Sequence, residues 1–436
     1  MSSHPKLRVA ICGGGIAGLT LALALSAYPD IQVDVYERAA QYAEVGAGVG
    51  MWWRPRRVLA SMGLEADLTQ IVGRFQDARA PSINYRKADQ REGHHFATLV
   101  TRGGLATTHR PEFQNVLLRR LSSRVNKYTS KRLTHYSQPS NTHEPIRLSF
   151  SDGTQAVCDV LIGADGIKSA VRAGMMQEMA ANAEAKGKAA EAAALRDCIN
   201  PRFSGAIVYR VVLPAERLAA IAPHHRALSA PYQYLGKDKH LMTYPISRGR
   251  LVNVAIFSTD YSQEGASHPE PWVSQADPRE IFRLFDGWET DVQQLVACME
   301  GLSVNKWVVN VVRPLPAYNW GRVVLLGDAA HAFTPFQGAG AGNAIEDAYM
   351  LAHLLGHRRC TRNTMPRVLQ IFTRARLPAT QRVAELSRRN GMLFAFHHAP
   401  PTLPELAHHL QKCFDDAQEG DPLEDVRRAI EKLESS

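Results

Sequence analysis

A glycine-rich turn between a short apolar strand and an apolar helix is the feature that most constrains the fold of this 436-residue chain. Residues 7–12 (LRVAIC) and 31–36 (IQVDVY) are predicted strands, and residues 16–27 between them are a predicted helix that follows the glycines. A strand, glycine turn, helix and second strand form one βαβ unit. The chain is therefore predicted to begin with a parallel sheet.

The turn itself, GGGIAG at 13–18, has the GxGxxG spacing of dinucleotide sites in the required context. Gly13 allows the tight turn, Gly15 lets the backbone approach a pyrophosphate, and Gly18 lets the helix pack against the strand. The N–H groups of Ile16 and Ala17 at the helix N-terminus are predicted to hold the phosphates. This spacing does not distinguish FAD from NAD, and a simple tight turn is the alternative.

An acidic residue ends the second strand, about 20 residues beyond the glycines. Glu37 is placed there to accept hydrogen bonds from a ribose hydroxyl, and Arg38 beside it is included in the predicted cofactor site. A carboxylate at this position favours an unphosphorylated ribose.

The composition excludes several classes of protein. The net charge of +9 is scattered along the chain, the six cysteines are far apart, and no apolar stretch approaches the ~20 residues needed to cross a bilayer. His353 and His357 lack a third ligand, so no metal site is expected. We therefore expect a cytoplasmic protein without nucleic-acid or membrane partners, either a monomer or a homodimer.

Two later strands end in acidic turns. The apolar segment 157–163 leads into Asp165-Gly166, and the segment 322–326 leads into Gly327-Asp328, close to the glycine-rich GAGAGN at 338–343. An Asp at a strand tip beside a glycine-rich helix start is a second phosphate-like cradle.

Three motifs in this order, GGGIAGL, DVLIGADGIKSAVR and GDAAHAFTPFQGAGAGNAIEDA, resemble those of the aromatic-ring flavoprotein hydroxylases, and within them the salicylate hydroxylase-like branch. The resemblance covers nearly the whole chain. It implies bound FAD, with NAD(P)H as a transient co-substrate, because no second GxGxxG follows a later strand. It also implies a small aromatic substrate and O2 as the other partners.

The implied fold is α/β, a Rossmann-like FAD-binding domain interleaved with a smaller β-sheet substrate domain and followed by C-terminal helices. Strand-like stretches near 203–213 and 240–257 are assigned to the substrate sheet, and the Ala-rich segment 173–195 is predicted to be an exposed helix or a flexible insert. The predicted boundaries are 1–80, 106–200 and 305–375 for the FAD-binding parts, 81–105 and 201–304 for the substrate sheet, and 376–436 for the helices.

The resemblance also assigns cofactor contacts. Asp328 is expected to bond the ribityl or pyrophosphate part of FAD, although by itself it could simply cap the following helix. Asp165 of the DG motif is expected to serve FAD and the nicotinamide pyrophosphate, and Arg110 the ribityl or phosphate region. The other implied contacts are the loop 46–49 over the flavin ring, including Gly48 and Val49, and the helix start that faces the ring, with Gly340, Ala341, Gly342 and Asn343.

In the family, hydride passes from NAD(P)H to the flavin, oxygen adds at C4a, and the resulting hydroperoxide attacks an electron-rich ring. Arg210 and Tyr244 match positions that hold the substrate oxygen, and they are the predicted catalytic residues. An Arg in a strand is otherwise commonly paired with a structural carboxylate. Trp52 and Trp53 are either walls of the aromatic pocket or plain core.

One position departs from the family pattern. Salicylate hydroxylases often carry His where this chain has Phe336, so a proton acceptor near the substrate is replaced by a phenyl ring. The expected substrate is thus a phenol such as a hydroxybenzoate, with or without loss of CO2. The alternatives are a flavin oxidase or dehydrogenase acting on a small molecule, and a nucleotide-binding protein without turnover.

Overall fold

A computed structural model describes residues 5–42, 48–73 and 76–435 of the chain. The strands of the described residues are Leu7–Cys12 (β1), Ile31–Tyr36 (β2), Gly48–Met51 (β3), Arg79–Lys87 (β4), His94–Arg102 (β5), Ala106–His109 (β6), Val125–Tyr128 (β7), Leu133–Ser137 (β8), Ile146–Phe150 (β9), Gln155–Cys158 (β10), Val160–Gly163 (β11), Arg202–Pro214 (β12), Tyr232–Gly236 (β13), Lys239–Ile246 (β14), Leu251–Thr259 (β15), Val273–Gln275 (β16), Asn305–Val311 (β17), Asn319–Trp320 (β18) and Val323–Leu325 (β19).

The α-helices of the same residues are Ile16–Leu25 (α1), Trp53–Ser61 (α2), Glu65–Val72 (α3), Arg110–Arg120 (α4), Ala170–Ala185 (α5), Ala189–Asp197 (α6), Ala215–Ile221 (α7), Pro278–Leu284 (α8), Thr290–Ala297 (α9), Asp328–His331 (α10), Gly340–Gly356 (α11), Met365–Phe394 (α12), Leu403–Ala417 (α13) and Pro422–Glu434 (α14). None of them combines the length and apolar character that a membrane span requires.

The predicted βαβ unit is confirmed. Strand β1 lies in the middle of a six-stranded sheet of order β18-β19-β11-β1-β2-β7, in parallel register with β2 on one side and β11 on the other. Residues of β1 are almost all buried, as expected of a central strand covered on both faces. The carboxyl ends of β1, β11 and β19 therefore meet at one edge, which is where α/β sheets bind ligands.

A second sheet of eight strands has the order β16-β17-β12-β15-β14-β13-β4-β5. Its strands come from separate segments of the chain, so the two sheets are interleaved in sequence. The predicted boundary at 304/305 is wrong, because β17 continues this sheet and pairs antiparallel with β12 from Arg202↔Val311 to Arg210↔Asn305. The apolar pattern of β17 is compatible with either sheet, and only its pairing with β12 shows to which sheet it belongs.

Two other local predictions need correction. The segment 157–163 is two strands, because Asp159 interrupts it: its N–H donates to the Arg8 carbonyl and its carboxylate receives the Arg8 guanidinium at 2.7 Å. Strand β10 then pairs in a small three-stranded sheet and β11 in the parallel sheet. The segment 173–195 belongs mainly to α5 and α6, and α5 buries Met175 and Met176 against the parallel sheet instead of being wholly exposed.

Helices cover the parallel sheet on both sides, and α1 packs along α11. The eight-stranded sheet packs against helices through two apolar clusters. One is formed with α8 and α9. The other is rich in aromatic residues, is formed with α12 and α13, and lies on the face towards the parallel sheet. The space between the two sheets is thereby lined by aromatic rings and by the strand tips of the first sheet.

Candidate active site

A cavity of about 380 Å³ lies between the carboxyl edge of the parallel sheet and the eight-stranded sheet. Asp328 after β19 lines it together with the start of α1. A Cβ on Gly327 would lie 3.2 Å from the Cβ of Ala17 and 3.1 Å from that of Ala344, so the two strand tips are in direct contact. The glycine-rich segments from the beginning and the last third of the chain thus form one wall.

The first glycine turn has no room for side chains. Gly13 has a φ of +111°, and a Cβ there would lie 2.1 Å from the Ala164 carbonyl oxygen. A Cβ on Gly18 would lie 2.0 Å from the carbonyl oxygen of Gly13. Both positions therefore require glycine, Gly13 for its backbone conformation and both for close packing.

The N-terminus of α1 opens into the cavity. Gly15, Ile16 and Ala17 line it, and Gly15 at the N-cap supplies no side-chain cap. The first bond of the helix runs from the N–H of Leu19 to the carbonyl of Gly15 at 3.0 Å, so the preceding N–H groups have no partner within the helix. These donors and the helix dipole suit a phosphate.

Glu37 stabilises the glycine turn from outside the cavity. Its carboxylate accepts the backbone N–H of Gly14 at 2.7 Å and that of Ala39 at 2.8 Å. Each carboxylate oxygen keeps a further lone pair, so contact with a ribose hydroxyl stays a prediction. Arg38 is exposed beside it.

Asp328 is exposed in the cavity wall and makes no capping bond to α10, which rules against the capping alternative. The turn that carries it is held from behind by Asp347, whose Oδ2 accepts the Gly327 N–H at 3.1 Å and lies 2.6 Å from His331 Nε2. Burial alone would raise the pKa of Asp347, but the charges and hydrogen bonds of His331 and Arg376 outweigh it and lower the pKa to about 2.

The second glycine-rich helix start is only partly at the cavity. Gly340 and Ala341 line it, whereas Gly342 and Asn343 line a neighbouring cavity. The Asn343 amide donates to the Ala339 carbonyl at 3.0 Å and accepts from Arg376 at 3.1 Å. The side chain of Asn343 is thus engaged within the protein, and flavin contact by Gly342 and Asn343 stays a prediction.

The DG turn also differs from expectation. The Asp165 carboxylate accepts the Ala170 N–H at 2.7 Å and the Ser169 hydroxyl at 2.5 Å, so it stabilises the start of α5 and does not line the cavity. Burial raises its pKa. The backbone on either side of it, Ala164 and Gly166, does line the cavity.

Two further predicted contacts lie at the cavity. Arg110 lines it from the first residue of α4, and Gly48 and Val49 line it from β3. A Cβ on Gly48 would lie 2.6 Å from the Tyr244 hydroxyl oxygen. Positions 46–47 of the predicted flavin loop lie outside the described residues.

Both predicted catalytic residues face the cavity from the eight-stranded sheet. Arg210 on β12 is paired with Ala255 on β15, which is paired with Met242 on β14, and Gln233 on β13 continues the row. All four residues line the cavity. Tyr244 follows Met242 by two positions and so lies on the same face of β14.

Arg210 makes no ion pair with any carboxylate of the described residues, and its buried Nε has no acceptor. The structural-pair alternative is therefore not supported. Burial lowers the pKa of Arg210, an effect that Tyr244 opposes and Arg110 reinforces. Burial raises the pKa of Tyr244 to about 12, even though Arg210 pulls it down. A cation and a protonated phenol thus face one cavity.

His240 lines the same cavity and was missed in the sequence. It lies two positions before Met242 on β14, is 1% exposed, and stacks on Phe257 with ring centroids 4.6 Å apart. Its Nδ1 has no hydrogen-bond partner in the described part of the chain, and burial lowers its pKa to about 3. The signal was available: residues two and four positions apart on a strand share a face, so His240 accompanies Tyr244.

The position that departs from the family pattern also lines the cavity. Phe336 is buried there, edge-on to His240 at 5.4 Å and to Phe257 at 5.3 Å. Trp52 lines the cavity as well, but Trp53 does not: its Nε1 donates to Asp77 at 2.6 Å.

The wall fits a flavin dinucleotide. It offers glycines where a Cβ would collide with neighbouring atoms, two helix starts without side-chain caps, the exposed carboxylate of Asp328 and the cation of Arg110. In the described part of the chain, no group of three or more His, Cys, Asp or Glu side chains is placed to hold a metal ion. The fold and the cavity thus define a nucleotide-binding α/β protein with an aromatic-lined second chamber.

Comparison with known proteins gives the family. A sequence profile described as "FAD binding domain" matches residues 6–387. The chain is 39% identical over 460 residues to the FAD-dependent monooxygenase str9 of Strobilurus tenacellus, covering 100% of this chain and 99% of that protein. It is 35% identical over 402 residues to a salicylate hydroxylase of Pseudomonas putida, covering 90% and 86%.

The fold agrees with these relatives. A solved salicylate hydroxylase in complex with its substrate superposes with a TM-score of 0.82 at 29% identity, over 98% of each chain. The chain therefore belongs to the FAD-binding-domain family, as a salicylate hydroxylase-like, FAD-dependent aromatic monooxygenase. FAD is its cofactor, and NAD(P)H is the co-substrate typical of this family.

Proposed function

We propose that the chain hydroxylates a small phenolic aromatic, such as a hydroxybenzoate, with NAD(P)H and O2. The observation that carries the proposal is the half-buried guanidinium of Arg210, whose Nε has no acceptor among the described residues, in a cavity whose other walls are mainly aromatic and aliphatic. A buried cation without a carboxylate is costly unless an anion joins it. A phenolate or an aromatic carboxylate supplies that anion.

The neighbouring groups suit a phenolate. Tyr244, with its pKa raised to about 12, is protonated at neutral pH and can donate a hydrogen bond to the substrate oxygen. His240, with its pKa lowered to about 3, is neutral and can accept a hydrogen bond. Arg210 favours the ionised substrate. Together these groups would make the ring electron-rich and orient it.

The cofactor would be held by the uncapped starts of α1 and α11, with Asp328 and Arg110 on its ribityl and phosphate part. When bound, FAD supplies the redox chemistry that activates oxygen. Glu37 would hold a ribose hydroxyl. Phe336, Phe257 and Trp52 would keep water from the reacting ring.

The substrate class is also supported by the relatives. Relatives whose names state a substrate include a salicylate hydroxylase of Pseudomonas putida and a 6-methylsalicylate 1-monooxygenase of Aspergillus terreus. Phe336 in place of a histidine favours a phenol other than salicylate itself. The mass of the product separates plain from decarboxylative hydroxylation.

The test is a screen of hydroxybenzoates and other phenols on the FAD-loaded protein. We expect one or more of them to accelerate NAD(P)H consumption and to gain an oxygen atom from O2, detected by mass spectrometry after reaction under ¹⁸O2. A substrate that reduces the flavin directly without NAD(P)H, with no phenol hydroxylated, would establish an oxidase instead. Arg210→Ala is expected to lower turnover while flavin binding is kept.

A further inference from the structure

A second cavity, of about 480 Å³, adjoins the first on the side of the C-terminal helices. The two cavities share four lining residues, Gly50, Trp52, Gly338 and Ala339. Two of these are glycines and one is alanine. Among the described residues, the indole of Trp52 is therefore the only large side chain in the shared wall.

The second cavity has the character of a hydrated space. Four arginines and four carboxylates line it, among them Arg54, which bonds Glu346 and Asp425 at 2.8 Å each. Arg382 at its rim is 54% exposed. Charged groups in this density keep water around them, whereas the first cavity is lined mainly by rings and aliphatic groups.

Trp52 is fixed between these two environments. It is 3% exposed, its Nε1 donates to the Gln337 carbonyl at 2.8 Å, and its ring meets Phe414 edge-on at 5.2 Å. Beside it, a Cβ on Gly338 would find only the Trp52 Nε1 within 4 Å, at 3.7 Å. Apart from its chain neighbours, Gly338 has no other described side chain within 4 Å of that Cβ position, so the indole is the group that fills the wall beside it.

We propose that Trp52 is the barrier that keeps the water of the second cavity out of the reaction cavity, and so couples NAD(P)H oxidation to hydroxylation. In the coupled reaction, NAD(P)H, a proton, O2 and the aromatic substrate give NAD(P)⁺, water and the hydroxylated product. When water enters early, NAD(P)H, a proton and O2 give NAD(P)⁺ and H2O2, and the substrate is released unchanged. The proposal rests on the monooxygenase reaction, and its coupling assay needs a phenol from the proposed function.

The first test compares Trp52→Ala and Trp52→Phe with Trp53→Ala in the FAD-loaded protein. Trp53 is the adjacent, equally buried indole, but it lies outside both cavities, bonded to Asp77 and covered by Arg102 at 3.6 Å. The fraction of NAD(P)H recovered as H2O2 is expected to rise at least threefold in Trp52→Ala, less in Trp52→Phe, and not in Trp53→Ala.

The second test needs no substrate. Quenching of the bound flavin's fluorescence by iodide and by acrylamide reports how easily solutes reach the ring, and its Stern–Volmer constant is expected to at least double in Trp52→Ala but not in Trp53→Ala. If Trp52→Ala does not retain its flavin, the test rests on Trp52→Phe, in which a smaller rise of the Stern–Volmer constant is expected. If quenching is unchanged in the Trp52 variants, the proposal that Trp52 is a water barrier is refuted, whether or not a phenol substrate is found. If only the phenol screen fails, the proposed function is refuted and the barrier proposal is not.

Discussion

Replacing Arg210 by methionine should weaken catalysis and strengthen the fold at the same time. The guanidinium has no carboxylate partner among the described residues, so an apolar side chain of similar length relieves an uncompensated buried charge. Replacing a whole buried ion pair by apolar side chains is often neutral or stabilises a protein by about 1 to 4 kcal/mol, and Arg210 has no partner charge that its removal would leave behind. Because Arg210 is partly open to the cavity, we expect the lower end, about 1 kcal/mol, in the free energy of unfolding of the apoprotein.

The catalytic loss follows from the same charge. A charge-assisted hydrogen bond to an anionic substrate contributes about 1.5 to 3 kcal/mol, which corresponds to about a 10- to 150-fold fall in kcat/KM. Arg210→Lys keeps the charge and should recover part of that loss. Steady-state kinetics with the phenol found in the screen measures the effect, with flavin content checked by absorbance.

A second buried arginine provides the matched control. Arg86 bonds Glu289 through Nη2 at 2.6 Å, and both side chains are buried, so Arg86→Met leaves a lone buried carboxylate and should cost about 3 to 5 kcal/mol. Chemical denaturation of the apoproteins compares the two variants. The reasoning is refuted if Arg210→Met destabilises the protein as much as Arg86→Met does, or if its kcat/KM is unchanged.

Three further predictions concern the same cavity. Asp328→Ala should raise the Kd for FAD about tenfold or more, measured by fluorescence titration, because a carboxylate contact to the ribityl or phosphate part is lost; retention of normal affinity would contradict the assignment. Gly48→Ala places a methyl group 2.5 Å from a Tyr244 ring carbon and should lower kcat/KM by up to about 100-fold with the fold intact by circular dichroism. His240 takes up a proton near pH 6.5 in the unfolded chain but only near pH 3 in the folded protein, so the free energy of unfolding should fall as the pH drops through this window. In His240→Phe that slope should be smaller when denaturation is repeated between about pH 4 and about pH 7, and an unchanged slope would show that other groups cause it.

The nucleotide-binding half was predictable because its signals are local. A glycine at 13 with positive φ and one at 18 against a neighbouring backbone are required by the turn itself, whatever the rest of the chain does. The same holds for the buried runs of β1 and β2. The family resemblance then placed Arg210 and Tyr244, and the structure brings both to one cavity.

Two physical causes limit the prediction of the site: the orientation of a side chain depends on partners far away in sequence, and a residue can have a competing local partner. Residues on both faces of β14 are buried, so the apolar pattern does not indicate which face borders a cavity, and only the four-residue spacing from Tyr244 points to His240. Asn343 turns towards Arg376 on α12. Asp165 has a competing local use, since the Ser169 hydroxyl and the first N–H groups of α5 lie within reach of its carboxylate.

The contact between Gly327 and Ala17 has a consequence for how the protein is made. The part of the groove wall around Gly15 and Ala17 is synthesised long before the part from Asp328 to Ala341 that it contacts. Until then the nascent protein has half a groove and cannot enclose a dinucleotide. Flavin capture is therefore expected to follow the synthesis of residues 328–341, and bound FAD should then protect the newly made protein from proteolysis.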